Sequence, residues 1–309
     1  MRAGGMRGGI FAVFTPSTDA NEDPVPRDDG VIELALAPRV GQGDAAAFST
    51  DTAGRLFKLE RVGAVRIARS IADVDAARGG DGPPVVVLHF EGAEAIDTGL
   101  ESLETWYAAG LRSLGPVWSR TNAFAHGVPF VFPSSPDTGP GLTVAGRQLV
   151  RRCGELGVLV DLSHMNEAGF WDVAGLDVGP LVVSHAGAHA LSPCSRNLTD
   201  AQIDAVGSSG GLVGIVFACA FLRADFGEDP KTTPIELIAD HARYVADRIG
   251  TEHVAFGSDF DGTTIPAELG DVAGYPKLLE VLGRRGFTDP EIRAVAWDNW
   301  RRALDAWWH

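Results

Sequence analysis

An α/β fold, a TIM-type barrel of parallel strands alternating with helices, is what this sequence predicts, on three observations. Short β-branched runs alternate with longer amphipathic segments along the whole chain. Several of those runs are apolar on both faces: VVVLHF, GVLVDL, LVVSH and GLVGIVF. Strands covered by helices have that texture, and a sheet with one wet face does not. The length of 309 residues exceeds one ordinary core and suits one α/β barrel or two ordinary domains. No repeat, low-complexity tract or linker divides the chain, so residues 1–309 read as a single domain.

The candidate strands, in order, are Gly9–Phe14, Ala64–Ala68, Val85–Phe90, Arg112–Val117, Val158–Leu162, Leu181–Ser184, Leu212–Phe217 and His253–Gly257. Between them lie helix signals. Leu142–Glu155 carries apolar residues at helical spacing and stops near Gly157, a residue type suited to a helix end. Thr199 precedes AQIDAV as an N-cap, and Thr288-Asp289-Pro290-Glu291 approaches a capping box. Trp297, Trp300, Trp307 and Trp308 fall near helical spacing and read as packing. The longest irregular stretch runs from Trp118 to Gly141 with four prolines, Pro129, Pro133, Pro136 and Pro140, and Pro116 just before it. A loop of that length after a strand is usually functional.

Composition excludes several function classes. Apolar residues make up 45% and charged residues 22%, the balance of a folded globular chain. A formal net charge of −15 repels phosphate backbones and anionic membranes, so no nucleic-acid partner is expected. The three cysteines, Cys153, Cys194 and Cys219, contain no CxxC pair. They fit a reducing compartment, not a disulfide scaffold or a thiolate zinc site. No apolar run approaches the ~20 residues of a membrane span, and the apolar run in MRAGGMRGGIFAVF is too short for a secretory signal. The expected location is cytoplasmic.

Metal-competent side chains recur at one place in the pattern, the C-terminal ends of the apolar runs. Glu91 follows VVVLHF, Asp161 and His164 lie in and after GVLVDL, His185 ends LVVSH, and Asp259 and Asp261 follow HVAFG. In a barrel all such ends open on one face. Taken alone, each has a plainer reading: a hydrogen-bonded histidine, a helix N-terminal acid, an Asx turn. Four strand ends together make that coincidence improbable. Two histidines with carboxylates suit Zn²⁺ or a similar divalent ion. His89 reads as core, and His189, His241 and His253 as structural or exposed.

In HFEGAEAI, LRSLGPVWSRTNAFAHG, LGVLVDLSHMN, VVSHAGA, SRNLTD and FGSDFDG, the chain resembles the membrane (renal-type) dipeptidase family of the amidohydrolase superfamily. The likeness covers essentially the whole chain. It implies a two-zinc peptidase that hydrolyses small dipeptides with a free C-terminal carboxylate through a metal-bound hydroxide. Glu91 occupies the position of the glutamate bridging both ions. His164 and His185 match the ligands of the second ion. Asp259 matches the aspartate that binds the first ion and handles the leaving-group proton. Arg196 matches the arginine that grips the substrate carboxylate, a task suited to its guanidinium fork. The likeness also suggests a homodimer.

Two features depart from the family pattern. The family's first strand ends in His-x-Asp, and none of the eight histidines here begins such a pair. The first strand and its helix are therefore expected to be missing. Ala64–Ala68 becomes a peripheral strand, leaving seven of eight barrel strands, with the start codon expected to be internal to a longer gene. As it stands the first site keeps only Glu91 and Asp259. The second departure is Trp118, which stands where many members carry a histidine that stabilises the tetrahedral intermediate. His126 on the same loop is the candidate replacement. Two other readings stay open: an amidohydrolase acting on another small amide, and a catalytically silent member lacking the His-x-Asp pair.

Overall fold

The computed structural model describes residues 1–17, 25–34, 36–80 and 82–308. The strands are β1 (Gly8–Phe14), β2 (Val25–Pro26), β3 (Ile32–Leu34), β4 (Arg66–Ile67), β5 (Val85–Glu91), β6 (Leu111–Gly115), β7 (Phe130–Phe132), β8 (Leu159–Val160), β9 (Val182–Ala186), β10 (Leu212–Ile215) and β11 (Val254–Phe256). The helices are α1 (Gln42–Arg61), α2 (Ile71–Arg78), α3 (Glu101–Ala109), α4 (Val144–Leu156), α5 (Glu167–Ala174), α6 (Asp200–Ser208), α7 (Cys219–Leu222), α8 (Glu236–Ile249), α9 (Tyr275–Arg284), α10 (Asp289–Arg293) and α11 (Asn299–Trp307).

Seven strands run parallel in chain order. β1, β5, β6 and β8 form one ladder, and β9, β10 and β11 form another. A single bridge, Asp161 to Val182, joins the two ladders, with the Leu162 N–H donating to the Val182 carbonyl at 2.9 Å. Seven consecutive parallel strands match the expected barrel strands. β4 pairs only with Val85 and Val86 at the foot of β5, while β6 pairs from Leu88 onward. That places β4 as the peripheral strand the sequence anticipated. Among the described residues, β1 and β11 do not pair with each other.

Helices enter this frame through their expected caps. Thr143 accepts the Gly146 N–H and starts α4, two residues later than the apolar spacing suggested. Thr199 with Gln202 and Thr288 with Glu291 form reciprocal capping boxes. Each box satisfies two backbone donors that a helix start leaves open. The C-terminal tryptophans pack on the barrel, and three of them donate indole N–H groups to barrel carbonyls. Trp300 reaches Phe256 at 2.9 Å, Trp307 reaches Pro180 at 3.0 Å and Trp308 reaches Arg112 at 3.2 Å. Their positions fit the packing reading.

One element was not legible. Inside the proline-rich stretch, β7 pairs antiparallel with β3, and β3 with β2. Proline removes a ladder donor and demotes a run to non-strand, and Pro129 and Pro133 flank β7 closely. This small sheet holds Phe130 and Phe132 beside the C-terminal face of the barrel. Gly127 is required there, because a Cβ would strike the Trp118 carbonyl oxygen.

Candidate metal centre

Strand alternation sets the first ligand. His89 and Glu91 are two apart in β5 and so face the same side, the barrel interior. His89 stays buried in the barrel, and Glu91, at the strand's last residue, emerges at the C-terminal face. His164 lies four residues beyond β8, and His185 lies within β9. The three side chains meet. Glu91 Oε1 is 3.0 Å from His164 Nε2 and 3.6 Å from His185 Nε2, and the two Nε2 atoms are 3.0 Å apart. Donor atoms arranged tetrahedrally at about 2.0–2.2 Å from one zinc ion stand about 3.3 Å apart. Spacing and donor chemistry both fit a divalent ion, and this is the metal-competent group found among the described residues.

The opposite ring edges are tied down. His164 Nδ1 lies 2.8 Å from Ser119 Oγ, and His185 Nδ1 lies 2.7 Å from Ser184 Oγ. Each Nε2 is thereby aimed inward. Burial holds both imidazoles well below the ordinary histidine range, and the Arg196 charge pushes the same way. They are therefore neutral, with lone pairs available. Burial and the Asp161 charge push Glu91 upward. A bound cation would relieve this by favouring the carboxylate.

Asp259 follows β11 and lies outside the three-residue group. Burial, reinforced by the Glu91 charge, pushes it up to about 7, while Arg196 opposes the shift. It is thus an electrostatic neighbour of both Glu91 and Arg196. His164 and Asp259 also adopt left-handed backbone, with φ of 64° and 55°. Such conformations cost about 1–3 kcal/mol in non-glycine residues and gather at functional sites. Asp261, φ 67°, is exposed and joins no metal group.

Arg196, an electrostatic neighbour of this cluster, is 4% exposed, with Nε and Nη2 lacking any hydrogen-bond partner. Its guanidinium lies 5.9 Å from the Phe221 ring centroid. Burial lowers its pKa, against the attraction of Asp259, Asp161 and Glu91. A desolvated cation with open donors is costly unless an anion completes it.

Trp118 is at the site, its ring 5.6 Å from that of His164. With Phe14, Phe130 and Phe221 it makes an aromatic wall, the centroids 4.8, 5.9 and 5.6 Å apart in turn. His126 is elsewhere on the loop: its Nδ1 lies 3.2 Å from the Gly141 carbonyl oxygen. No hydrogen bond or ion pair among the described residues joins it to Glu91, His164, His185 or Asp259.

Three participants escaped the sequence reading. Arg120 is fully buried and donates to Glu94 at 2.8 Å and Ser17 at 3.0 Å. Ser119 and Ser184 back the two histidines. The sequence carried a hint for one of them, Ser184 immediately before His185 in VVSH; Ser119 stands 45 residues from His164 and carries none. Asp161, one of the metal-competent strand-end residues, instead accepts hydrogen bonds from Ser163 and Ser184. Burial would raise its pKa, but His89, His185 and Ser184 outweigh that and hold it below the ordinary value.

Comparison with known proteins agrees with this fold. A metallopeptidase from Rhodobacter sphaeroides, solved with a phosphinate mimic of the dipeptide L-Ala-D-Ala, is 42% identical. It superposes with a TM-score of 0.94 over 100% of this chain and 89% of that one. The dipeptidase AC, a family M19 metallopeptidase, is 43% identical, with a TM-score of 0.93 over 100% and 88%. An uncharacterized protein in the pqqA 5' region of Klebsiella pneumoniae is 47% identical over 246 residues, 80% of this chain and 90% of that protein. The membrane dipeptidase family, peptidase family M19, matches residues 1–307. The chain belongs to that family, and its fold is that of the metallo-dipeptidases it matches.

Proposed function

We propose that this chain is a zinc dipeptidase for small dipeptides with a free C-terminal carboxylate. The observation that carries the reading is Arg196, buried with two open donors beside the Glu91–His164–His185 cluster. A planar carboxylate completes that fork bidentately. Glu91, His164 and His185 would hold one ion, and Glu91 with Asp259 would contribute to a second. Bound zinc supplies Lewis acidity and lowers the pKa of water to about 7.

The chain's own residues do the rest. Arg196 fixes the substrate's carboxyl end and so sets the peptide bond beside the cluster. Asp259, whose pKa of about 7 suits proton exchange at neutral pH, carries the proton to the leaving amine nitrogen. The aromatic wall keeps water off the His164 side. His126 is proposed to steady the oxygen of the tetrahedral intermediate, its Nδ1 resting on Gly141. The expected result for His126→Ala is a lower kcat at unchanged KM, and an unchanged kcat overturns that role.

The test uses zinc-loaded protein with L-Ala-L-Ala, L-Ala-D-Ala and their C-terminal amides, following released alanine. Cleavage of the free acids alone is expected. Equal cleavage of the amides would favour a general amidohydrolase. Bound zinc without turnover would favour a silent family member. A homodimer and a cytoplasmic location complete the proposal, checked by light scattering and cell fractionation. No described helix is long and apolar enough to cross a membrane.

A further inference from the structure

Beneath the metal cluster the barrel interior holds a polar chain that ends on His185 and whose other members the proposed reaction does not use. Ser113 on β6, His89 on β5, Asp161 after β8, and Ser163, Ser184 and His185 are each at most 8% exposed. Water does not reach them to rearrange their protons. Ser184 Oγ lies 2.6 Å from Asp161 Oδ2, 2.7 Å from His185 Nδ1 and 3.0 Å from Ser163 Oγ. Asp161 Oδ1 accepts the Ser184 N–H at 2.7 Å and the Ser163 N–H at 3.1 Å. His89 Nε2 stands 3.7 Å from Asp161 Oδ2, and its Nδ1 is 2.9 Å from Ser113 Oγ.

Proton counting gives this network a direction. A carboxylate that receives this many donors is held ionised, and it only accepts. The one Ser184 hydroxyl proton must therefore point at Asp161. Toward His185, Ser184 Oγ can then only accept, so Nδ1 bears the imidazole hydrogen. Ser163 Oγ donates to Ser184 and accepts the His185 backbone N–H at 3.0 Å, which closes the set.

We propose that Asp161 is a positioning residue that acts through Ser184 to lock His185 in its Nδ1–H tautomer, leaving a bare Nε2 aimed at the metal cluster. Only the consequence for metal affinity rests on the zinc reading; the tautomer does not. Asp161→Asn would reverse the relay. The amide oxygen can keep both backbone N–H bonds, but an NH₂ group replaces Oδ2 and donates to Ser184. The Ser184 proton turns to His185 Nδ1, and the imidazole hydrogen moves to Nε2, facing Glu91 and His164. Wrong-tautomer inactivation through a carboxylate-to-amide change has a precedent in the serine protease triad.

The experiment has two arms. Nitrogen NMR of ¹⁵N-histidine-labelled, metal-free wild type at neutral pH reads the His185 tautomer directly. The Nδ1–H form is expected, and the Nε2–H form overturns the proposal. Chelator competition then measures zinc affinity in variants whose metal-free melting shows them folded. Asp161→Asn should lose about 10–100-fold. Ser184→Ala frees the ring to take either tautomer and should lose less. The double variant should recover to the Ser184→Ala level, which a merely structural role for Asp161 would not produce. Wild-type affinity in Asp161→Asn, or a double variant no better than Asp161→Asn, overturns the relay. Absence of zinc binding by wild type would sink the metal reading, and the NMR arm would still decide the tautomer.

Discussion

Arg120 and Arg196 are both buried and both lie close enough to the metal cluster to influence the His164 imidazole. Arg120 has an internal answer: Glu94 at 2.8 Å, Ser17 at 3.0 Å, and the rings of Phe14 and Trp118 at 5.2 and 5.5 Å. Arg196 has no hydrogen-bond partner at Nε or Nη2. The contrast separates a cation that holds the fold from a cation held ready for an anion. One open nitrogen does not mark a binding site, since Arg120 Nη2 also lacks a partner; among the described residues Arg196 differs in having no carboxylate hydrogen-bonded to its guanidinium.

Removing Glu94 should give the largest effect. Glu94→Ala leaves the Arg120 charge buried without its carboxylate, and breaking a buried pair costs about 3–5 kcal/mol. Urea unfolding should register that loss. Arg196→Met is the converse. It removes a desolvated cation, so stability should hold or rise. Catalytic efficiency on free-acid dipeptides should fall about 10²-fold, or about 3 kcal/mol. If Arg196→Met unfolds the protein while Glu94→Ala does not, the two roles are reversed.

The sequence carried the frame and the metal-competent cluster but not the network around them. The parallel barrel strands announce themselves because strands covered by helices must be β-branched on both faces. Glu91, His164 and His185 are legible because each interrupts or follows such a run. Arg120 and Glu94 were missed because a loop arginine reads as solvated until the fold brings residues 26 apart in sequence into contact. β7 was missed because two nearby prolines mask a three-residue strand. Asp161 was seen as a metal-competent residue, but whether a carboxylate faces a metal or a serine depends on strand register.

The Arg196 side of the site also has its own acid sensitivity. His241 on α8 accepts the Ala188 N–H at Nδ1, 2.9 Å, and donates from Nε2 to the Leu222 carbonyl, 3.1 Å. Ala188 begins the loop that leads to Arg196. Burial pushes the His241 pKa down from 6.5 to about 4. The unfolded chain therefore takes up a proton that the folded one refuses. The stabilisation is complete above about pH 6.5, erodes as the pH falls toward about 4, and is lost below it. The full contribution is about 3 kcal/mol at most. His241→Gln should flatten the stability profile of metal-free protein in that window relative to wild type. An unchanged slope would remove His241 from the account.

The smallest expected effect lies on the His164 side. Ser119 backs His164 Nδ1 at 2.8 Å, as Ser184 backs His185. No carboxylate hydrogen-bonds to Ser119 among the described residues, so nothing dictates where its proton points. A neutral hydrogen bond contributes about 1 kcal/mol, and Ser119→Ala leaves the ring free to present Nε2 to a metal. Zinc affinity should fall about 5-fold, with no change in tautomer elsewhere. A loss as large as that expected for Asp161→Asn would mean that the two histidines are held alike. The carboxylate behind Ser184 would then add nothing that a lone hydroxyl does not.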